Sequence, residues 1–300
     1  MEIISVVPRG YCQGVVRAIN TVKDIVHQQP SEPVTMLGMI VHNQYVVQAC
    51  ADHGIRILDD PRKTRLELLD EVDSGIVIFT AHGVSDAVYE KAKAKGLKIV
   101  DATCPDVRRT HDLVREHCKK GDVLYIGKPF HPEAEGVLGI SPRVHLIAKA
   151  EDLNGLGPLE YPLITNQTTL SLLDTSALMQ ACKAAYPDAV QVPEICNATT
   201  IRQQAVMKLK DVDCLIVVGD PRSNNSNQLK EIGRATGIAN CILIENAMQL
   251  KEEELAGMNR IAVTSGSSTP TELTAQVLDV LNRYAKEGIF SLPSSLPVLF

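Results

Sequence analysis

Three cysteines stand at equal intervals along this chain of 300 residues: Cys12, Cys104 and Cys196. The two intervals are identical, since 104 minus 12 and 196 minus 104 both give 92. Each cysteine follows a short β-branched run and precedes a segment whose apolar residues recur at helical spacing. Equal intervals indicate an internal repeat in which each unit contributes one thiol at a strand-to-helix junction.

Three thiolates can hold a tetrahedral metal ion or one face of an iron-sulfur cube, and both arrangements leave a fourth position open for chemistry. Zinc sites usually contain local C-x-x-C pairs, which are absent here, or include His or carboxylate ligands. The pattern favours a four-iron four-sulfur cluster with one open iron, with zinc as the alternative. The remaining cysteines are interpreted as core residues, because they lie in helical patterns or begin apolar strands: Cys50, Cys118, Cys182, Cys214 and Cys241.

Two polar motifs follow each cysteine in the same order, where predicted strands end. The candidate site residues in these motifs are His42 and His82 in the first unit, His131, Glu133 and Thr168 in the second, and Ser223, Asn224, Asn225 and Ser268 in the third. In open α/β sheets, ligands bind at the edge formed by the carboxyl ends of the strands. We therefore expect these motifs to contribute to one ligand site.

The residue types in these motifs indicate binding and protonation of an anionic substrate. The three histidines can hydrogen-bond an anion, or alternatively bind a metal. The Ser and Asn loops can form a phosphate cradle without lysine, although ordinary polar turns look similar. Glu133 is the carboxylate of these motifs and a candidate proton carrier, the alternative being a solvated residue like Glu135. Thr168 could orient a substrate hydroxyl or cap the following helix.

Short apolar strands alternate with amphipathic segments throughout the chain, which predicts α/β units with mostly parallel sheets. The predicted strands cover residues 2–7, 34–41, 76–80, 98–100, 123–126, 163–165, 190–193, 214–218, 241–245 and 260–264. The clearest predicted helices cover residues 15–27, 107–119 and 200–210. Three similar lobes packed about a pseudo-threefold axis would bring equivalent loops, and hence the three thiols, to the centre. The strand before each cysteine could belong to either neighbouring lobe.

Composition narrows the possible functions. A formal charge of -6, no Trp and 4% aromatic residues disfavour nucleic acid as a partner. The chain shows no apolar run long enough to cross a membrane and no signal peptide pattern, so we expect a cytoplasmic protein without a membrane partner. Thiols stay reduced in that compartment, so important cysteines should be ligands or nucleophiles rather than disulfide partners.

Motifs along most of the chain resemble those of one enzyme family. They are Pro8-Arg-Gly-Tyr-Cys12-Gln-Gly, Val41-His-Asn43, Ala81-His-Gly83, Asp101-Ala-Thr-Cys-Pro105, His131-Pro-Glu-Ala-Glu-Gly136, Gln167-Thr-Thr169, Ile195-Cys-Asn-Ala-Thr-Thr200, Ser223-Asn-Asn-Ser-Asn227 and Gly266-Ser-Ser268. In this order they are similar to the 4-hydroxy-3-methylbut-2-enyl diphosphate reductases, the family that catalyses the last step of the methylerythritol phosphate route to isoprenoids. The resemblance runs from about residue 2 to residue 285.

The resemblance implies three α/β lobes around a central iron-sulfur cluster, with the N-terminal strand joining the last lobe. The lobes then cover residues 14–103, residues 104–195, and residues 1–13 together with 196–290. Residues 291–300 contain two prolines and no hydrophobic period, and we expect them to form a loosely held tail.

The resemblance also implies a role for each site residue. Cys12, Cys104 and Cys196 would bind three irons of one 4Fe-4S cluster and leave the fourth open to an allylic diphosphate substrate. The residues implied for the diphosphate are His42, His82, His131, Ser223, Asn225 and Ser268. His131 would share in proton delivery, Glu133 would supply the proton and Thr168 would contact the substrate hydroxyl. Asn224 replaces a Ser found in many relatives, and its amide can still donate a hydrogen bond.

The implied reaction is reductive removal of a hydroxyl group, which yields isopentenyl and dimethylallyl diphosphate. A cluster passes single electrons, so a ferredoxin or flavodoxin is the expected donor; the chain shows no G-x-G-x-x-G nucleotide fingerprint. Two alternatives stay open. One is a redox-neutral hydro-lyase with an iron-sulfur Lewis acid, and the other is a non-catalytic metal or cluster sensor of a phosphorylated metabolite.

Overall fold

The computed structural model describes residues 1–299 of the chain. Within these residues twelve short strands form three four-stranded sheets with parallel pairing. The strands are β1 (Glu2–Ser5), β2 (Val34–Leu37), β3 (Arg56–Leu58), β4 (Ile76–Phe79), β5 (Lys98–Asp101), β6 (Val123–Ile126), β7 (Val144–Ile147), β8 (Leu163–Asn166), β9 (Val190–Gln191), β10 (Cys214–Val218), β11 (Asn240–Ile244) and β12 (Arg260–Ser265). The α-helices are α1 (Gln13–Gln28), α2 (Gln44–Asp52), α3 (Arg65–Leu68), α4 (Asp86–Ala94), α5 (Pro105–His117), α6 (Pro132–Leu138), α7 (Leu172–Ala185), α8 (Asn197–Met207), α9 (Asn224–Ala235), α10 (Glu252–Leu255) and α11 (Thr271–Glu287).

The three sheets share one topology. Their strand orders are β3-β2-β4-β5, β7-β6-β8-β9 and β11-β10-β12-β1. In the third sheet β1 pairs with β12, from Glu2 opposite Arg260 to Ser5 opposite Val263, and so occupies the edge position that β5 and β9 hold in the other two. This common order confirms the predicted repeat and the predicted three α/β lobes with parallel sheets.

Short apolar strands form the centre of each sheet because helices cover both faces of parallel sheets. All five residues of β10 are buried, as are the four of β6. In the third sheet, Leu273, Val277 and Leu281 recur at helical spacing on α11 and belong to the same buried cluster as Ile216 of β10. Burial of such side chains contributes about 1.5 to 3 kcal/mol each.

The chain is divided into two compact units. One contains residues 1–13 and 42–46 and the residues from 197 on, and the other contains residues 14–41 and 47–196. The third sheet lies in the first unit, and the other two sheets lie in the second. The lobe boundaries inferred from the sequence stay a prediction.

Two strands were not predicted, β3 and β7. Both are short, and each adds to the outer side of a central strand, Arg56–Leu58 on β2 and Val144–Ile147 on β6. Their alternation of polar and apolar residues spans too few positions to separate them from loops. The predicted strand over residues 34–41 ends early at Leu37, because Gly38 adopts a φ of 95° in the left-handed region and turns the chain out of the sheet.

The helices α1, α5 and α8 begin two or three residues before their predicted starts. Each begins immediately after a cysteine, at Gln13, Pro105 and Asn197. The apolar period reveals only the buried face of these helices, whereas their first turns are polar. Proline is favoured in the first turn of α5, since its missing N–H has no intrahelical partner there.

The segment from residue 291 to residue 299 forms neither a helix nor a strand. It is nevertheless attached to the third lobe, since Leu296 packs against the buried cluster beneath α11. Gln276 on α11 also donates a hydrogen bond of 3.0 Å to the carbonyl of Ser295. Position 300 of the predicted tail lies outside the described residues. Among the helices of residues 1–299, none combines the length and apolar character that crossing a membrane requires.

Candidate functional site

The three equally spaced cysteines occupy equivalent positions in the fold. Cys104 is the N-cap residue of α5, Cys196 immediately precedes α8, and Cys12 immediately precedes α1. Each follows the edge strand that is fourth in its sheet, namely β5, β9 or β1. All three side chains are half-buried.

The backbone of each cysteine is bound to the polar loop that follows the adjacent strand. The N–H of Cys104 donates to the carbonyl of Ala81 over 3.0 Å. In the same way the N–H of Cys196 donates to the carbonyl of Thr168 over 3.0 Å, and the N–H of Cys12 donates to the carbonyl of Ser267 over 3.1 Å. In every sheet the third and fourth strands are neighbours, so the loops that leave them run side by side. The fold therefore places each cysteine beside the polar loop that follows the third strand of the same sheet.

The other five cysteines have a different environment. Burial raises the pKa of Cys50 and Cys214 to about 12 and that of Cys182 to about 11. The pKa values of Cys118 and Cys241 are also raised by burial. A thiol with a raised pKa resists forming the thiolate that metals bind. These residues behave as small apolar side chains.

The three thiols form a donor set of the kind that binds an iron-sulfur cluster. A single ion requires sulfur ligands about 2.3 Å from one point. Within residues 1–299, no group of three or more His, Cys, Asp or Glu side chains is placed to hold one ion. A cluster binds each thiolate through a different iron, so its cysteines need not converge on one atom. Three half-buried thiols at equivalent helix starts are suitable ligands for such a group.

Glu133 is a fully buried carboxylate, with 1% of its surface exposed. One carboxylate oxygen accepts a 2.7 Å hydrogen bond from the N–H of Thr168, and the other accepts a 3.0 Å bond from the Thr168 hydroxyl. Burial raises the pKa of Glu133 to about 7, although the bonds from Thr168 lower it, and the negative charge of Asp106 raises it further. A carboxyl group with a pKa near neutrality can both hold and release a proton under physiological conditions.

Two histidines lie beside Glu133 in the order of contacts, His131 against its backbone and His82 against His131. His131 is the N-cap residue of α6, and its Nδ1 accepts a 3.2 Å hydrogen bond from the N–H of Glu133. The rings of His82 and His131 meet edge to face with their centroids 5.7 Å apart. The Nδ1 of His82 lies 3.3 Å from the hydroxyl of Thr80. His82, His131, Glu133 and Thr168 therefore form one contiguous group in the second compact unit.

A second group of predicted residues lies at the start of α9 in the first unit. The hydroxyl of Ser268 donates to the carbonyl of His42 over 2.9 Å and lies 3.4 Å from the hydroxyl of Ser223. Ser223 caps α9 by accepting from the N–H of Ser226. The side-chain oxygen of Asn225 accepts a 3.0 Å bond from the N–H of Ser267.

The hydroxyl and amide residues of this group are buried. Ser223, Asn224, Asn225 and Ser268 are all buried, and Asn224 is the first residue of the helix. Backbone N–H groups at a helix start, combined with hydroxyl and amide donors, form a setting that favours an anion. The phosphate cradle stays a prediction of the sequence.

The structure adds two polar residues to this second group. Asn43 caps α2 by accepting from the N–H groups of Tyr45 (3.1 Å) and Val46 (3.3 Å). Asp220 accepts a 2.8 Å bond from the N–H of Gln44 and so fixes the segment that contains His42. Burial raises the pKa of Asp220, but hydrogen bonds from Arg222 and Gln44 outweigh that effect and keep it below its ordinary value. Asp220 lies two residues after β10, and its position after a buried strand is the signal that could have identified it.

Comparison with known proteins identifies similar chains. The family model described as LytB protein matches residues 3–282. A 4-hydroxy-3-methylbut-2-enyl diphosphate reductase from Symbiobacterium thermophilum is 46% identical over 293 residues, which cover 96% of this chain and 99% of the relative. The enzyme of the same description from Bacillus cytotoxicus is 48% identical over 289 residues, 95% of this chain and 91% of that one.

Solved structures agree with the sequence relatives. The E-1-hydroxy-2-methyl-but-2-enyl-4-diphosphate reductase from Plasmodium falciparum matches with a TM-score of 0.88 and 30% identity, over 99% of this chain and 94% of that one. A structure described as (E)-4-hydroxy-3-methyl-but-2-enyl diphosphate reductase, the terminal enzyme of the non-mevalonate pathway, matches with a TM-score of 0.63 and 27% identity. It covers 94% of this chain and 100% of its own.

The buried Glu133 predicts a measurable dependence of stability on pH. Its pKa is raised from 4.5 to about 7 in the folded protein, so the folded state binds the proton more tightly than the unfolded state does. The resulting stabilisation is fully present below about pH 4.5 and is lost as the pH rises through 7. Between pH 5 and pH 8 the loss of this contribution should lower the free energy of unfolding by about 2 to 3 kcal/mol.

Urea denaturation of the wild type and of Glu133→Gln at both pH values isolates this contribution, because all other titrating groups are shared. A glutamine can still accept from the Thr168 N–H and donate to its hydroxyl, so the variant should fold. Between the two pH values the free energy of unfolding of the wild type should fall by about 2 to 3 kcal/mol more than that of the variant. Equal losses in the two proteins would show that Glu133 does not retain its proton near neutrality.

Proposed function

The chain belongs to the LytB protein family, and from that premise we propose that it reductively removes the hydroxyl group of 4-hydroxy-3-methylbut-2-enyl diphosphate. The products are isopentenyl and dimethylallyl diphosphate, the end of the non-mevalonate route to isoprenoids. The observation that carries the proposal is the buried pair of Glu133 and Thr168 beside two histidines. A proton donor shielded from water in this way suits a reaction that must protonate a leaving hydroxyl.

A four-iron four-sulfur cluster bound by Cys12, Cys104 and Cys196 fits the donor set, with one iron free of protein ligands. When bound, this group supplies a Lewis acid that weakens a C–O bond and a store of single electrons. The remaining cysteines do not compete for it, because burial raises the pKa values of their thiols. Ligation by the three cysteines is supported by their equivalent places after the fourth strand of each of the three sheets.

The diphosphate is assigned to the groups that offer neutral donors. Ser223, Asn225 and Ser268 stand at or beside the start of α9, where hydroxyls, amides and the positive end of the helix favour an anion. Asn224 can add an amide donor from the first position of that helix. His42, His82 and His131 supply imidazole donors, which bind an anion most strongly when protonated.

Glu133 is the proposed proton source. The overall change takes up two electrons and two protons: one proton leaves with the hydroxyl as water, and the other ends on carbon. The pKa of Glu133 near 7 means that much of the group holds a proton at neutral pH. Thr168 donates to Glu133 through its hydroxyl and its backbone N–H. Its hydroxyl can extend this hydrogen-bond chain from Glu133 to the substrate hydroxyl. His131 is placed to assist, since it contacts the backbone of Glu133.

The electrons come from another protein in this proposal. A cluster accepts electrons one at a time, so a ferredoxin or flavodoxin is the donor of the right chemistry. Both carriers and the isoprenoid precursors are cytoplasmic in bacteria, and we place the enzyme there.

A reductant-dependence assay tests the proposed reaction. The protein, purified and reconstituted without oxygen, is given the allylic diphosphate with and without dithionite-reduced methyl viologen. The two dehydroxylated diphosphates should form only when the reduced dye is present. Conversion of the substrate without reductant into a dehydrated product of the same oxidation level would indicate a redox-neutral lyase, and binding without any product would indicate a sensor; either outcome overturns the proposal.

Replacing the proton source should separate chemistry from cluster binding. Glu133→Gln should keep the visible absorbance of the cluster but lower kcat by about 10² to 10⁴-fold, the usual contribution of a general acid. The matched control is Glu135→Gln on the same helix, because Glu135 is paired with Arg65 rather than with Thr168. Its kcat should stay within a few-fold of the wild type. Full activity in Glu133→Gln would remove that residue from the mechanism.

A further inference from the structure

An arginine follows each of the three cysteines along the helix that begins there. Arg17 lies five residues after Cys12, Arg109 five residues after Cys104, and Arg202 six residues after Cys196. The residues stand on α1, α5 and α8, each at the second turn of its helix. The sequence analysis did not single out these arginines, and the reaction proposed above does not use them.

Each arginine binds the segment that leads into the next cysteine of the series. Arg17 donates 2.6 Å to the carbonyl of Thr103, Arg109 donates 2.8 Å to the carboxylate of Glu194, and Arg202 donates 2.8 Å to the carbonyl of Gly10. The acceptors precede Cys104, Cys196 and Cys12 by one or two residues. Arg17 thus connects the helix after Cys12 to the segment before Cys104, and Arg109 connects the helix after Cys104 to the segment before Cys196. Arg202 connects the helix after Cys196 to the segment before Cys12.

The bond of Arg109 is a charged pair with a buried partner. Glu194 has 7% of its surface exposed and also accepts from the hydroxyl of Thr110, at 3.4 Å. Its backbone N–H donates 3.0 Å to the side-chain oxygen of Asn166, at the end of β8. The loop before Cys196 is therefore held by α5 on one side and by the sheet on the other.

The other two arginines bind backbone carbonyls that are themselves fixed. Arg202 is buried and also donates to the carbonyl of Ala198, while Gly10 donates 2.7 Å from its N–H to the hydroxyl of Ser265. Gly10 has a φ of 74°, in the left-handed region that glycine adopts at little cost, so its carbonyl direction depends on that residue type. Thr103, the acceptor of Arg17, donates from its N–H to the Asp101 carboxylate over 2.9 Å.

We infer that Arg17, Arg109 and Arg202 are positioning residues that fix the backbone entering each cluster cysteine and so govern how firmly the cluster is retained. The inference rests on the proposed function, since it assumes that the three thiols are the ligands. Groups that orient metal ligands from outside the ligand set typically change metal affinity by 10 to 100-fold when removed. A guanidinium suits the task because its planar donors fix direction as well as distance.

An arginine that merely stabilises the fold would behave differently, and the chain provides one for comparison. Arg115 lies on the same helix as Arg109 and binds both oxygens of Asp86 at 2.8 and 3.1 Å. Asp86 begins α4 and is not followed by a cysteine ligand. Arg115→Ala therefore removes an ion pair from the same helix without touching a cysteine segment.

The test measures loss of iron from the reconstituted protein to a ferrous chelator without oxygen and without substrate. Arg109→Ala should release iron about 10-fold or more faster than the wild type. Arg115→Ala should stay within about 2-fold, because its bond leaves the ligand segments unchanged. Urea denaturation of both apoproteins shows whether the two variants lose comparable stability. Equal rates of iron release in the two variants would overturn the inference.

Two further variants decide between positioning and a simple charge effect. Removing Arg109 leaves the buried carboxylate of Glu194 unpaired, so Arg109→Ala/Glu194→Gln is included to remove that charge as well. Rapid iron release should persist in the double variant, whereas full recovery would contradict positioning. For the buried Arg202, Arg202→Lys keeps the charge but loses the paired donors, and it should release iron faster than the wild type; a wild-type rate would count against the inference.

The wild type separates failure of this inference from failure of the proposed function. If it takes up no iron and sulfide, the proposed cluster enzyme is wrong and the positioning role falls with it. If it loads normally and Arg109→Ala and Arg202→Lys retain iron equally well, only the positioning role is wrong.

Discussion

One repeated hydrogen bond sets the arrangement of the candidate site: the N–H of each equally spaced cysteine donates to a carbonyl of the polar loop beside it. The bond recurs because each cysteine follows the fourth strand of a sheet whose third strand is its neighbour. It joins Cys104 to the loop of His82 and Cys196 to Thr168 itself. Each of these cysteines and the polar loop beside it are thereby coupled by backbone geometry, which side-chain substitutions alter little.

The polar group around α9 and the polar group around Glu133 differ in their electrostatics. Around α9 the donors are hydroxyls, amides and backbone N–H groups, so a bound anion would be stabilised by oriented dipoles rather than by a cation. Around Glu133 burial opposes ionisation, and the bonds from Thr168 only partly offset it, so the pKa of the carboxyl lies near 7. This balance requires exclusion of water, because a solvated glutamate would lose its proton well below neutrality.

Equal spacing of the cysteines sufficed to predict the repeat, and the alternating pattern predicted parallel sheets. The short strands β3 and β7 were not predicted, because a strand of three or four residues is too short to show a period of two. The bond between Glu133 and Thr168 joins residues 35 positions apart, a contact that one sequence without an alignment does not reveal. The arginine contacts were not predicted for a different reason. Arg17 and Arg202 donate to the backbone carbonyls of Thr103 and Gly10, and every residue has such a carbonyl, so the residue type gives no signal.

The central claim, that the equally spaced thiols hold one inorganic cluster, is tested most directly by iron and acid-labile sulfide analysis after anaerobic reconstitution. Cys118→Ser is the matched control, because Cys118 is also half-buried but burial raises the pKa of its thiol. The wild type and the control should bind about four iron and four sulfide per chain, whereas Cys104→Ser should bind substantially less. Equal loading of Cys104→Ser and Cys118→Ser, or metal without sulfide in the wild type, would contradict the account.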